Sequence, residues 1–276
     1  MPITMSEITV ATDLSERSER ALRRAAMLAA ATGAKLNVVS VVDDALPDMV
    51  AGKLSGMIEA HLAALVPDLG VDVAIEVCDG DPAAEIAAYV NGGKTDLVVL
   101  GLHRARTILD GFRQTTMERI IIGSRRPVLL ATTDADGAYR KALLPVSFSP
   151  SCTAAMAMAH RVAPEAEFVA YHAWMVPFGG MTGGPDSSYA EQVRREVTEE
   201  AASWAKGLPW QAEPPELVQG SVHEALDRMI ASHAPDLIAI GANTRSGPAL
   251  HRLGGFAAEL IRNPPRDLLV SKARFG

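Results

Sequence analysis

The residues of this chain whose types could do chemistry are few and lie far apart. Asp13 ends an apolar run and leads into a serine, in Val10-Ala11-Thr12-Asp13-Leu14-Ser15. Gly101 and Gly241 each close another apolar run, and Arg104 and Arg106 follow the first of them. Thr115 and the pair Gly254-Gly255 stand just ahead of helical stretches. This set suits holding an anion better than breaking a bond. Glycines let backbone N–H groups approach a phosphate, a helix N-terminus attracts negative charge, and arginine neutralises it. Each residue also has a plainer reading. Asp13 is then a loop carboxylate, Arg104 and Arg106 a solvated loop, and Gly254-Gly255 a helix-packing pair.

Other chemistries find no motif. The seven histidines form no H-x3-H, H-E-x-x-H or Cys/His set, so no metal is expected. Cys78 and Cys152 form no C-x-x-C pair and read as reduced core thiols. There is no Walker P-loop, no G-x-G-x-x-G after the first strand and no G-x-S-x-G elbow. The H-x-G-H, K-M-S-K-S and S-G-G-x-D-S loops of nucleotide-processing α/β enzymes are missing too, so no catalytic residue is assigned. A net charge of -7 argues against a general nucleic-acid binder. Aromatics at 5% supply no stacking surface for single strands. The start, Met1-Pro2-Ile3-Thr4-Met5, lacks the pattern of a signal peptide. No stretch reads as the ~20 apolar residues of a membrane span. Cytoplasm is therefore the expected compartment.

The elements that must position these residues come in two copies. Asp96-Leu97-Val98-Val99-Leu100-Gly101 matches Asp236-Leu237-Ile238-Ala239-Ile240-Gly241, and the same spacing joins Gly80 to Gly220 and Arg126 to Arg266. Near the starts, Asp13 corresponds to Ser147. A repeat this long is a duplicated domain, with bounds predicted at 1–133 and 139–276 and a polar linker over Thr132–Tyr139. Each copy reads β-α-β-α-β-α-β-α-β. Strands of the first are expected near 6–12, 35–41, 71–77, 96–101 and 127–131, and the continuous apolar runs suit parallel strands buried on both faces. Ser15 and Gly33 bracket the first helix, Asp81-Pro82 and Ser149-Pro150 open others, and Ser221 with Glu224 makes a capping box. Gly179–Gly184 reads as a surface loop. The fold class is α/β: two tandem doubly wound five-stranded parallel sheets, Rossmann-like, with ligand sites at the carboxyl ends of strands.

In this order, appearing twice, these residues resemble the universal stress protein family. The resemblance rests on Val10–Ser15, Gly80-Asp81-Pro82-Ala83, Asp96–Gly101 and Arg126-Pro127-Val128-Leu129-Leu130. In the second copy it rests on Pro145–Pro150, Asp236–Gly241 and Asp267-Leu268-Leu269-Val270. It implies an adenine nucleotide alpha hydrolase-like fold and a pseudo-two-fold pairing of the fifth strands, about 127–131 and 266–270. It also implies a possible homodimer that rebuilds a four-domain assembly. ATP-binding members resemble G-x2-G-x9-G-[S/T] after the fourth strand, with an aspartate after the first. Carried over, the resemblance implies an adenine-nucleotide pocket in the first copy at Thr12, Asp13, Val41, Gly101, Arg104 and Thr115, where Arg104 and Gln114 replace two glycines. In the second copy Gly241, Gly254 and Gly255 remain, but Thr244 and Ser147 break the pattern, leaving at most a small-anion site. The functional readings are a stress-response sensor with a degenerate, weak ATP pocket, a scaffold acting on an unknown protein partner, and an ATP-hydrolysing or adenylyl-transferring enzyme lacking the motifs above.

Overall fold

The duplicated pattern folds into a single ten-stranded sheet. The computed structural model describes residues 5–45, 47–102, 115–176, 187–243 and 253–273. The first half runs β1 (Glu7–Ala11), α1 (Glu16–Thr32), β2 (Lys35–Val42), α2 (Asp48–Leu69), β3 (Val73–Asp79), α3 (Pro82–Gly92), β4 (Leu97–Gly101), α4 (Thr116–Gly123) and β5 (Val128–Ala131). The second runs β6 (Lys141–Pro145), α5 (Pro150–Val162), β7 (Glu167–Trp174), α6 (Ser188–Lys206), β8 (Glu216–Gln219), α7 (Val222–His233), β9 (Leu237–Gly241), α8 (Gly255–Arg262) and β10 (Asp267–Ser271).

Local chemistry sets these boundaries. Ser15 caps α1 by accepting from Ser18 N, Gly33 ends it in the left-handed conformation, and Leu22, Ala25, Ala26 and Ala29 face the core. Asp81 caps α3 ahead of Pro82, Ser149 caps α5 ahead of Pro150, and Ser221 with Glu224 boxes the start of α7. These are the caps that the sequence predicts.

The sheet order is β3-β2-β1-β4-β5-β10-β9-β6-β7-β8. Within each half all pairings are parallel, and β5 meets β10 antiparallel with Leu129 opposite Leu269. The expected pseudo-two-fold pairing of the fifth strands is thus present. Helices α1, α2, α5 and α6 pack on one face and α3, α4, α7 and α8 on the other. In each half the chain leaves the first strand in one direction and returns on its other side. The switch points therefore fall between β1 and β4, and between β6 and β9, where doubly wound sheets bind ligands.

One helix departs from expectation. Met49–Leu69 is long and apolar enough, by length and composition alone, to cross a membrane. Lys53, Glu59 and Asp68 interrupt it, which is why the sequence does not read as a span.

Candidate functional site

At the first switch point β1 gives way to a tight loop. Thr12 N still donates to Val39 O at 2.9 Å, so the strand end is fixed. Leu14 then adopts a left-handed backbone with φ 60°, a conformation costing a non-glycine residue roughly 1–2 kcal/mol. Thr12 Oγ1 accepts from Leu14 N at 3.1 Å and donates to Ser18 Oγ at 3.0 Å. Asp13 Oδ1 accepts from Ser15 N and Ser15 Oγ at 3.0 and 2.6 Å. The loop is held by its own side chains and presents the Asp13 carboxylate at the start of α1.

An open cleft of about 210 Å³ lies there, between the ends of β1 and β4. Thr12, Asp13, Val41 and Gly101 line it, with Pro82 and Ile86 of α3 and Thr116, Met117 and Ile120 of α4. Four of the six residues assigned to the first pocket thus come together. Thr115 stands one residue before the lining Thr116 as the cap of α4, and Arg104 lies outside the described residues, as do Arg106 and Gln114. The cleft is smaller than the ~300–1,000 Å³ usual for small-molecule sites.

The start of α4 carries a feature that the ligand reading of Thr115 overlooks. Thr115 Oγ1 accepts from Glu118 N at 3.2 Å, and Glu118 Oε2 accepts from Thr115 N at 2.8 Å. The Thr-x-x-Glu spacing is a capping-box signal in its own right. Glu118 is buried, and its Oε1 pairs with Arg262 of α8, 2.9 Å away across the two halves. Two N–H groups of this helix end are thereby committed to the protein itself. Nearby, Arg119 grips Asp81 through both carboxylate oxygens at 2.8 and 3.0 Å. These hydrogen bonds, with that from Ala84 N, hold the Asp81 carboxyl below its usual range and tie the start of α3 to α4.

The glycine ending β4 has a steric reason. A Cβ on Gly101 would lie 2.5 Å from Arg17 O, so the strand end touches the backbone of α1. Gly241 repeats this against α5, where a Cβ would meet Cys152 N at 2.8 Å.

At the second switch point the described residues bond one another. Ser147, in the place of Asp13, turns its hydroxyl to Cys152 Sγ at 3.2 Å. Ser149 Oγ reaches Asn243 O at 3.1 Å, and Ser151 Oγ bonds Asn243 Oδ1. All four of Ser149, Ser151, Cys152 and Asn243 are buried. Phe148, left-handed like Leu14, stacks on His172 with centroids 4.2 Å apart. Gly254 caps α8 without a side-chain bond, its N–H donating to Ala242 O at 3.0 Å, and Gly255 follows it in open space. Thr244, like the Gly179–Gly184 loop, is outside the described residues. Among the described residues no group of three His, Cys, Asp or Glu side chains could hold a metal ion.

A twice-repeated doubly wound unit with an open cleft at its first switch point defines a class of tandem α/β proteins. The Universal stress protein family matches residues 5–132 and again residues 138–272, so the chain belongs to that family, twice over. Among solved structures it is similar to a protein of unknown function from Pseudomonas aeruginosa PAO1, at 17% identity and a TM-score of 0.67, covering 98% of this chain and 93% of that one. A universal stress protein from Archaeoglobus fulgidus DSM 4304 is alike at 17% identity and a TM-score of 0.67, covering 97% and 98%. At these identities the likeness is one of fold. No curated protein matches the chain.

Proposed function

We propose that this chain is a cytoplasmic stress-response protein whose first half binds one adenine nucleotide weakly, while its second half is structural support. The observation carrying this reading is the contrast between the switch points. The first is an open cleft with Asp13, Thr12 and Val41 on its walls. The second holds a serine in place of the carboxylate, beside a buried network of Ser149, Ser151, Cys152 and Asn243. In this reading Asp13 accepts from the ribose hydroxyls, the Val41 backbone meets the base, and the phosphates lie toward α4. Glycines are replaced at Arg104 and Gln114. Two lost phosphate contacts at ~1–3 kcal/mol each weaken binding by roughly two or more decades. No catalytic residue is proposed.

Titration calorimetry with ATP tests the reading on the wild type, Asp13→Ala and Gly254→Arg. Binding in the wild type should fall at least about tenfold in Asp13→Ala and stay unchanged in Gly254→Arg. Affinity that survives Asp13→Ala and disappears with Gly254→Arg would move the site to the second half. The committed capping box at α4 favours a second reading, a ligand-free scaffold for a protein partner. Undetectable binding in all three proteins would select it.

A further inference from the structure

The duplication supplies an internal control for surface chemistry, and α2 fails it. Its counterpart in the second half, α6, turns Glu191, Arg194, Arg195 and Glu199 to solvent, as a helix packed on a sheet should. Helix α2 buries Ile58 and Leu62 but exposes apolar and small residues on the opposite side. Met49 and Met57 are 77% and 69% exposed. Between and beside them run Gly52, Gly56, Ala60 and Ala64, spaced at four residues and all exposed. A Cβ on Gly52 or Gly56 would meet nothing within 4 Å, so packing within the chain does not call for glycine there. Each glycine inside a helix costs about 1 kcal/mol against alanine. A helix apolar on both sides expects a partner on each.

We propose that this outer face of α2 pairs with the same face of a second copy, antiparallel about a two-fold axis at Gly56. The glycines let two helix backbones approach closely at the crossing, and a two-fold contact needs a self-complementary surface. The charges supply that complementarity. A two-fold through Gly56 brings Lys53 level with Glu59 of the partner subunit, and Glu59 with Lys53 of the partner subunit. Both side chains are exposed, and among the described residues neither has an ion pair within its own chain. A lipid surface fits less well. The helix carries Asp48, Glu59 and Asp68 against Lys53 alone, the reverse of the basic face that draws a helix to anionic membranes. At 22 residues α2 is about 33 Å long. The dimer proposed is a micromolar one.

Sedimentation velocity on the full chain over about 2 to 200 µM tests the inference. The wild type should pass from monomer to dimer within that range. Gly56→Arg, whose side chain enters open space and leaves the circular dichroism unchanged, should weaken the dimer at least about tenfold. Lys53→Glu alone should do the same, and Lys53→Glu combined with Glu59→Lys should restore wild-type association. A chain monomeric throughout, a dimer indifferent to Gly56→Arg, or a charge swap that fails to rescue each overturns the proposal. So does co-sedimentation with phosphatidylglycerol vesicles that Gly56→Arg abolishes, which assigns the face to lipid.

Discussion

Glycine ends both β4 and β9, and at each the reason is the neighbouring helix backbone. Neither Gly101 nor Gly241 has a positive φ, so conformational freedom is not what selects it. A side chain at Gly101 would press on Arg17 O at 2.5 Å, and backbone atoms of α1 have no rotamer to yield with. Gly255 sits at the start of α8 with nothing within 4 Å. The two residues should therefore respond oppositely to one methyl group. Gly101→Ala is expected to destabilise the chain by about 1–3 kcal/mol through overpacking. Gly255→Ala should be neutral or stabilise by about 0.4–1 kcal/mol through the unfolded chain. Urea midpoints of the two variants check this, and a Gly101→Ala protein as stable as the wild type removes the packing explanation. At the same scale, the change from Asp13 to Ser147 separates the two switch points. A carboxylate stays at the mouth of the first, while a serine hydroxyl turns inward to Cys152 in the second.

Among the elements, α4 is tied to the end of β10 by Lys272, one residue beyond that strand. Lys272 Nζ donates to Ile122 O at 2.6 Å and Ser124 O at 3.0 Å, capping the end of α4 from the other half. Burial lowers its pKa to about 8. Between about 8 and the usual lysine value the unfolded chain binds the proton more tightly, so this group makes stability rise with pH across that window. The neutral amine keeps two N–H donors for the two carbonyls. Urea midpoints at several pH values from 7.5 to 10 should rise less in Lys272→Met than in the wild type, and parallel profiles would show that Lys272 does not titrate there. This bridge is invisible in the sequence, since residues 122 and 272 come together only through the pairing of β5 with β10. Caps are legible because they are local: Ser15, Asp81, Ser149 and Ser221 each bond within three residues. The box at Thr115 and Glu118 is equally local, and only the weight given to a ligand hides it. The outer face of α2 is legible in composition but not in consequence. Periodicity identifies apolar positions without telling how many sides of a helix are covered. The location of the cleft follows from strand order, whereas the network at its counterpart depends on Asn243 meeting Ser149 and Ser151 across more than ninety residues.

At the scale of the whole molecule, the seam between the halves is organised around one buried carboxylate. Asp267 is fully buried at the start of β10. Its Oδ1 accepts from the N–H and hydroxyl groups of Thr132 and Thr133 at 2.8 to 3.1 Å, and its Oδ2 from Tyr139 Oη at 2.6 Å. Arg24 of α1 brings Nε to 3.3 Å from Oδ2, an ion pair without hydrogen-bond alignment. Its guanidinium lies over the Tyr139 ring at 4.3 Å, and its Nη1 donates to Gly137 O at 2.7 Å. The polar composition of Thr132–Tyr139 predicts a linker, with a first protease cut either there or in the Gly179–Gly184 loop; both ends of the linker are anchored to the second half and its middle to the first. Removing one partner of a buried pair leaves the other charge uncompensated, at a cost of about 3–5 kcal/mol. Asp267→Ala strands Arg24 in that position and also frees Thr132, Thr133 and Tyr139 together. It should lower stability by that amount and make 132–139 the first segment cut in limited proteolysis. In the wild type this segment should resist until the sheet itself opens. Tyr139→Phe removes only one of the five hydrogen bonds and keeps the ring under Arg24, so it should lose no more than about 1–3 kcal/mol and leave the linker protected. Equal cleavage of the linker in wild type and Asp267→Ala would show that the carboxylate does not hold the connection.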